Sequence, residues 1–152
     1  MKKVITQIAQ TDEKIAPLIL RITLAVVLWP HGAQLLLGWF GGAGYASTID
    51  YFKGGGLPYI IAFLVIMIQF FGSLMVFVGL YTRIVAIAIL IMFIGMIITA
   101  HWPIGFFMNW TGTLKGEGFE YHLLVIGICL SIILSGSGRL SLDGLFYKIS
   151  NH

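Results

Sequence analysis

Four long apolar runs decide what this chain can fold into: Pro17 to Gly38, Leu57 to Leu80, Ile84 to His101 and Phe119 to Ser135. A helix crosses a bilayer with about 20 apolar residues, and each run is near that length. Together they take up more than half of the 152 residues and leave only short connections, so two large soluble domains are excluded. Composition agrees: 59% of residues are hydrophobic and 10% charged, with mean hydropathy +0.97. A soluble domain carries about 25% charged residues, and a chain this short cannot hide so much apolar surface in one core. An ordinary soluble enzyme, a disordered chain and a nucleic-acid binder are all excluded. The expected fold is all-α, an integral membrane four-helix bundle forming one transmembrane domain over residues 1–152. Neither the glycine-rich connection 41–56 nor the aromatic connection 102–118 separates domains, and no internal repeat or strand pattern is evident.

Ahead of the first run, Val4, Ile5, Ile8 and Ala9 recur at helical spacing within Met1 to Ala16. This stretch reads as a short interfacial helix. It does not read as a cleavable signal peptide, because the following apolar run is too long and lacks an A-x-A-like site. Charge placement sets the orientation. Lys2, Lys3, Lys14, Arg21, Arg83, Arg139 and Lys148 fall on the side shared by both termini, against Lys53 and Lys115 on the other. Seven against two is a positive-inside bias that places both termini in the cytoplasm. Trp29, Trp39, Trp102 and Trp110 then fall toward the outer face, as an aromatic belt.

Polar groups inside spans are costly and default to functional candidates facing the bundle interior. Arg21 is close enough to the cytoplasmic surface to snorkel to the headgroups. Every span also brings a polar group to the outer half: His31 and Gln34 three residues apart on the first, Gln69 on the second, His101 ending the third, and Glu120 opening the fourth. Gln69, Gly72, Ser73 and Val76 share one face of the second span, and Glu120, Leu124, Gly127 and Ser131 one face of the fourth. His122, two residues beyond Glu120, points to a different side and reads as interfacial. A carboxylate among histidines in an apolar bundle has the character of a functional pocket. A quinone site needs an apolar slot with polar partners for two carbonyl oxygens, and His, Gln and Glu also move protons. His31, Gln34, Gln69, His101 and Glu120 are therefore the candidate cofactor-binding residues. Two other readings stand beside this one. His31, His101 and Glu120 would serve a metal or haem, though at no compact ligand spacing, or the same groups would bond one another and fix helix packing.

The remaining signals are weak. Gly41, Gly42 and Gly44 follow a helix, not a strand, which argues against a phosphate loop. Asn109-Trp110-Thr111 matches a glycosylation acceptor that is common by chance. Phe106, Phe107, Met108 and Trp110 suit a cap over the bundle's outer mouth. Cys129, the lone cysteine, reads as packing and rules out a dithiol couple within the chain.

These residues resemble the DoxX family of small four-helix bacterial inner-membrane proteins. The likeness runs from about Leu20 to Asp143. It rests on Arg21, HGAQLLLGWFGG from His31 to Gly42, the Gly-Leu-Pro ending at Pro58, FFGSLMVFVGLYTR up to Arg83, AHWPIGFFMNW, GFEYHLL and GSGRLSLD. The resemblance implies a multi-pass inner-membrane protein. Some relatives are the membrane subunit of a thiosulfate:quinone oxidoreductase, and others belong to oxidative-stress or quinone-resistance systems. Two positions depart from the family pattern. Gln69 stands where a glutamate is frequent, and Leu35 lies where a lysine often follows the His-Gly pair, removing a counter-ion for an anionic substrate such as thiosulfate. The expected function is a membrane redox protein, or the membrane subunit of an oxidoreductase, with a quinone-type pocket toward the periplasm. The alternatives are a scaffold that anchors a soluble enzyme and a small-molecule transporter, for which four spans are few. Expected partners are the bilayer, a soluble or membrane-bound redox partner and a second copy of the chain; nucleic acid is not among them.

Overall fold

The computed structural model describes residues 14–150, so most of the interfacial helix expected before Pro17 lies outside the described residues. Among those residues every regular element is helical. We label them α1 (Ile15–Leu37), α2 (Gly44–Gly54), α3 (Tyr59–Val78), α4 (Thr82–His101), α5 (Glu120–Ser135) and α6 (Leu142–Ser150). Helices α1, α3 and α4 are long and apolar enough to cross a membrane. The apolar α5 has 16 residues, about 24 Å at 1.5 Å per residue, and packs along α4 and against α1. The chain is a helical membrane bundle.

Each of the four carries a buried stripe at three- and four-residue steps. On α1 it is Pro17, Arg21, Leu24, Leu28 and Gly32; on α3, Ala62, Ile66, Gln69, Ser73 and Val76; on α5, His122, Val125, Cys129 and Ile132. The opposite faces expose Ile19, Val26, Ile60, Ile91 and Leu124, as lipid-facing helices do. Lipid tails give apolar side chains no reason to cluster, so close packing must hold such helices together. Gly32 shows how: a Cβ there would lie 2.5 Å from the Phe70 nitrogen, so α1 and α3 meet backbone to backbone.

The bundle has two unlike ends. The termini end gathers Lys14, the α3–α4 turn and the segment from Gly136 to Asp143. The Arg139 amide donates to the Lys14 carbonyl (3.3 Å) and the Asp143 amide to the Gly79 carbonyl (2.8 Å). The Asp143 carboxylate accepts the Tyr81 and Thr82 amides (2.7 and 2.9 Å) and so caps α4, one turn where orphan N–H groups favour an anion. Here the structure corrects the expected behaviour of Arg21. It does not snorkel: only 1% of it is exposed, and its guanidinium donates to the Leu140 carbonyl at 2.9 Å and the Arg139 carbonyl at 3.4 Å. The C-terminal turn brings acceptors down to the arginine, so the side chain has no need to reach up. Leu140 adopts φ +53 in aiming its carbonyl inward, a conformation that costs a non-glycine residue roughly 1 kcal/mol. Gly79, at φ +71, lies so close to the guanidinium that any Cβ would run into it.

The other end, the loop end, holds α2 and the long segment from Trp102 to Phe119. From sequence the glycine-rich residues 41–56 are expected to be a plain connection. Instead α2 forms there and docks through buried Thr48 and Ile49, tied to α3 by a 2.8 Å bond between the Tyr45 and Tyr59 hydroxyls.

Candidate functional site at the loop end

Two of the helices widen, α3 near its middle and α4 at its loop end. Ile68–Gly72 in α3 and Ile97–His101 in α4 are π turns, in which an extra residue is accommodated and side chains are re-aimed; such turns are frequent at functional sites. The first carries Gln69 and the second His101. The Ser73 hydroxyl donates to the Gln69 and Phe70 carbonyls (2.6 and 2.8 Å), satisfying backbone oxygens at the wide turn. The close approach of Gly32 to this turn sets His31 and Gln34 of α1 beside Gln69.

Between these helices and α5 lies a cavity of about 270 Å³. Its apolar walls are Leu28, Leu35, Phe52, Phe93, Met96 and Met108, and its polar lining is His31, Gln34, Gln69, His101, Glu117, Tyr121 and His122. Four of the five expected residues thus meet around one space. Gln69 is buried, 5% exposed, whereas His31 is exposed and stands at the rim. Gln34 lines the cavity and also donates to the Phe40 carbonyl (3.2 Å), fastening the turn that follows α1.

Glu120 is the fifth, and it does not line the cavity. Its Oε1 accepts the Met108 amide at 3.0 Å and the Trp110 indole N–H at 3.1 Å. Glu117 accepts the Asn109 amide at 2.8 Å. The two carboxylates fold the 102–119 segment back over the bundle, helped by Trp102 stacked on Phe119 (5.6 Å). Met108 and Glu117 reach the cavity from above. Glu120 opens α5 at the very end of the bundle, where loop amides satisfy it, and its face runs outward through exposed Leu124.

The buried face of α5 belongs to His122, which corrects the interfacial reading of that residue. His122 is 4% exposed, and both of its ring nitrogens are buried without a hydrogen-bond partner. Its ring lies 4.1 Å from that of His101 and 5.3 Å from that of Phe93. The Tyr121 hydroxyl is likewise buried and unpartnered. His101 Nδ1 is 2.8 Å from the Glu117 carbonyl oxygen. A carbonyl only accepts, so Nδ1 carries the proton and Nε2 is the basic nitrogen of the neutral ring. A signal for His122 existed: His122, Val125, Cys129 and Ile132 form an unbroken stripe at 3-4-3 spacing.

The chemistry of the site is that of an apolar slot with a few polar atoms on facing walls. Among the described residues, no three of His, Cys, Asp and Glu converge as a metal site would require. His101 and His122 lie side by side with their rings tilted by 48°, unlike two axial ligands on opposite faces of a macrocycle. Trp39, Trp102 and Trp110 are exposed at this end, whereas Trp29 sits a few turns deeper, packed on Trp39, Phe40 and Phe70.

Comparison with known proteins gives a family. The family model described as DoxX matches residues 16–102, which hold α1, α3 and α4. The chain is also 33% identical over 135 residues to the protein named "Putative oxidoreductase CatD" of Bacillus subtilis (strain 168), across 89% of this chain and 90% of that protein. No solved structure matches it.

Proposed function

The chain belongs to the DoxX family, and from that premise we propose that it is a membrane redox protein, or the membrane subunit of an oxidoreductase, that binds a quinone-type ring in the loop-end cavity. One observation carries the reading: His122 and Tyr121 present buried, unpartnered polar atoms to an apolar slot. Leaving such an atom dry costs about 1–3 kcal/mol, and a ligand that supplies acceptors recovers it. A quinone offers two carbonyl oxygens on an otherwise apolar ring. The Tyr121 hydroxyl and a His122 ring N–H would donate to one carbonyl, and Gln69 on the facing wall to the other. At 270 Å³ the cavity is near the lower edge of the range of about 300–1,000 Å³ for small-molecule pockets. It suits a single ring, with any long tail left in the lipid. A bound quinone would supply two-electron, two-proton redox chemistry, with the electrons coming from a redox partner, and Tyr121 and His122 would hold protons at the carbonyl oxygen they face. The charge bias orients this end toward the periplasm of the inner membrane, with both termini cytoplasmic.

Solvent extraction of the purified protein, followed by absorbance spectroscopy, tests the reading. It should release quinone, and a soluble quinone analogue should bind at least tenfold more weakly to His122→Leu than to wild type. Protein that releases none and gives no analogue binding would falsify it.

A further inference from the structure

At the termini end the chain leaves α5 and, after the turn 136–141, begins α6. Asp143 fixes the depth of that start, because it is bonded to the first amides of α4 and to Gly79. Helix α6 therefore sets out where the spans end, at the level of the lipid headgroups. Leu142, Leu145, Phe146 and Ile149 recur along it at three- and four-residue steps and are 37% to 65% exposed. Leu130 and Leu134 of α5 are also exposed. Beside it lies a groove of about 340 Å³ between α6 and the preceding turn, lined by Arg139, Ser141, Tyr147 and Lys148 among others. Arg139 is exposed. Among the described residues Asp143 is the acidic side chain of this end, and it is buried and engaged with α4. Among the described residues the groove is thus lined by the basic Arg139 and Lys148 and by no acidic side chain, and it opens beside an apolar stripe at headgroup level.

We propose that α6 lies in the headgroup layer and that this groove binds the phosphate of an anionic phospholipid, with an acyl chain along the Leu145–Ile149 stripe. A free anion would account for the basic lining but not for the stripe. The start of α6 at headgroup level favours lipid over a partner protein as the occupant of that stripe. Amphipathic helices with basic flanks seat their apolar face several ångströms into the headgroup boundary in this way.

The test uses the full chain in nanodiscs of phosphatidylcholine, with or without one quarter phosphatidylglycerol. A nitroxide label at Phe146→Cys should collide with oxygen more than with a water-soluble nickel chelate; the wild-type chain, whose Cys129 is fully buried, controls for stray labelling. Native mass spectrometry should show phosphatidylglycerol retained over phosphatidylcholine. R139Q should lower that preference about fivefold, the loss expected for one basic residue at an anionic surface, while R139K and the loop-end variant K115Q keep it. Four results would overturn the proposal: a water-like label at position 146, equal retention of the two lipids, displacement by millimolar inorganic phosphate, or label-to-label distances showing a second copy on the stripe.

Discussion

His122 and Arg21 are both buried polar residues with unpartnered nitrogens, but Arg21 Nη2 also has carbonyl partners whereas the His122 ring nitrogens have none. Arg21 is engaged by the carbonyls of Arg139 and Leu140, and hydrogen bonds made by charged groups contribute about 1.5–3 kcal/mol. Arg21→Met should therefore destabilise the bundle by about 2–3 kcal/mol, read as the shift in a denaturant or SDS unfolding midpoint. Gly79→Ala should cost a similar amount, since its methyl group would need the guanidinium's place and a left-handed backbone. His122 keeps two unsatisfied nitrogens in the interior. Replacing it with leucine removes that penalty and should raise stability by about 1 kcal/mol while ligand affinity falls. A His122→Leu chain that loses both stability and affinity would show the histidine to be a packing residue. Sequence alone assigns both side chains to the membrane surface, and both are buried. Arg21 lies close enough to a span end for snorkelling to suffice, and the acceptors that hold it come from 118 positions later. Glu120 drew attention away from His122 because a carboxylate is the costlier group in lipid. The loop amides that satisfy it are not visible in a local pattern.

At the scale of elements, the spans were legible because a bilayer demands long apolar runs and little else. What the runs do not encode is where the backbone widens. Nothing in Ile68–Gly72 or Ile97–His101 marks a π turn by composition, yet these turns aim Gln69 and His101. Helices α2 and α6 went unread for a different reason. Both are short, and a helix of that length is marginal by itself; α2 is held by docking through Thr48 and Ile49, and α6 by the Asp143 cap. The approach of α1 to α3 yields a direct expectation. Gly32→Val would force the two backbones apart at Gln69 and Phe70, costing about 1–3 kcal/mol as overpacking does. It should also disperse the polar lining, so analogue binding should be lost even at temperatures where circular dichroism shows a folded bundle. Unchanged binding by that variant would mean that the cavity does not depend on the α1–α3 seam.

Over the whole molecule, the two ends are built differently. The loop end is closed by a folded-back segment held on Glu117 and Glu120; the termini end is closed by the Arg21 and Asp143 contacts that tie the C-terminal turn to α1 and α4. Glu120 joins segment 102–119 to α5, so Glu120→Ala should speed hydrogen exchange at the Met108 amide by at least tenfold, measured by mass spectrometry, with little change at the termini end. Equal protection in both proteins would show that the stacked aromatics alone hold the segment. The Arg21 clasp also has a consequence for how the protein is made. During synthesis α1 enters the membrane long before Arg139 and Leu140 leave the ribosome, and at about 5–20 residues per second the delay is on the order of 6–24 s. Throughout that interval the arginine must reach for the headgroups. The snorkelling suggested by sequence then describes the nascent chain, and the buried clasp its final state. Residues translated long after the first helix thus complete its contacts, which makes closure of the bundle a late, post-insertion event.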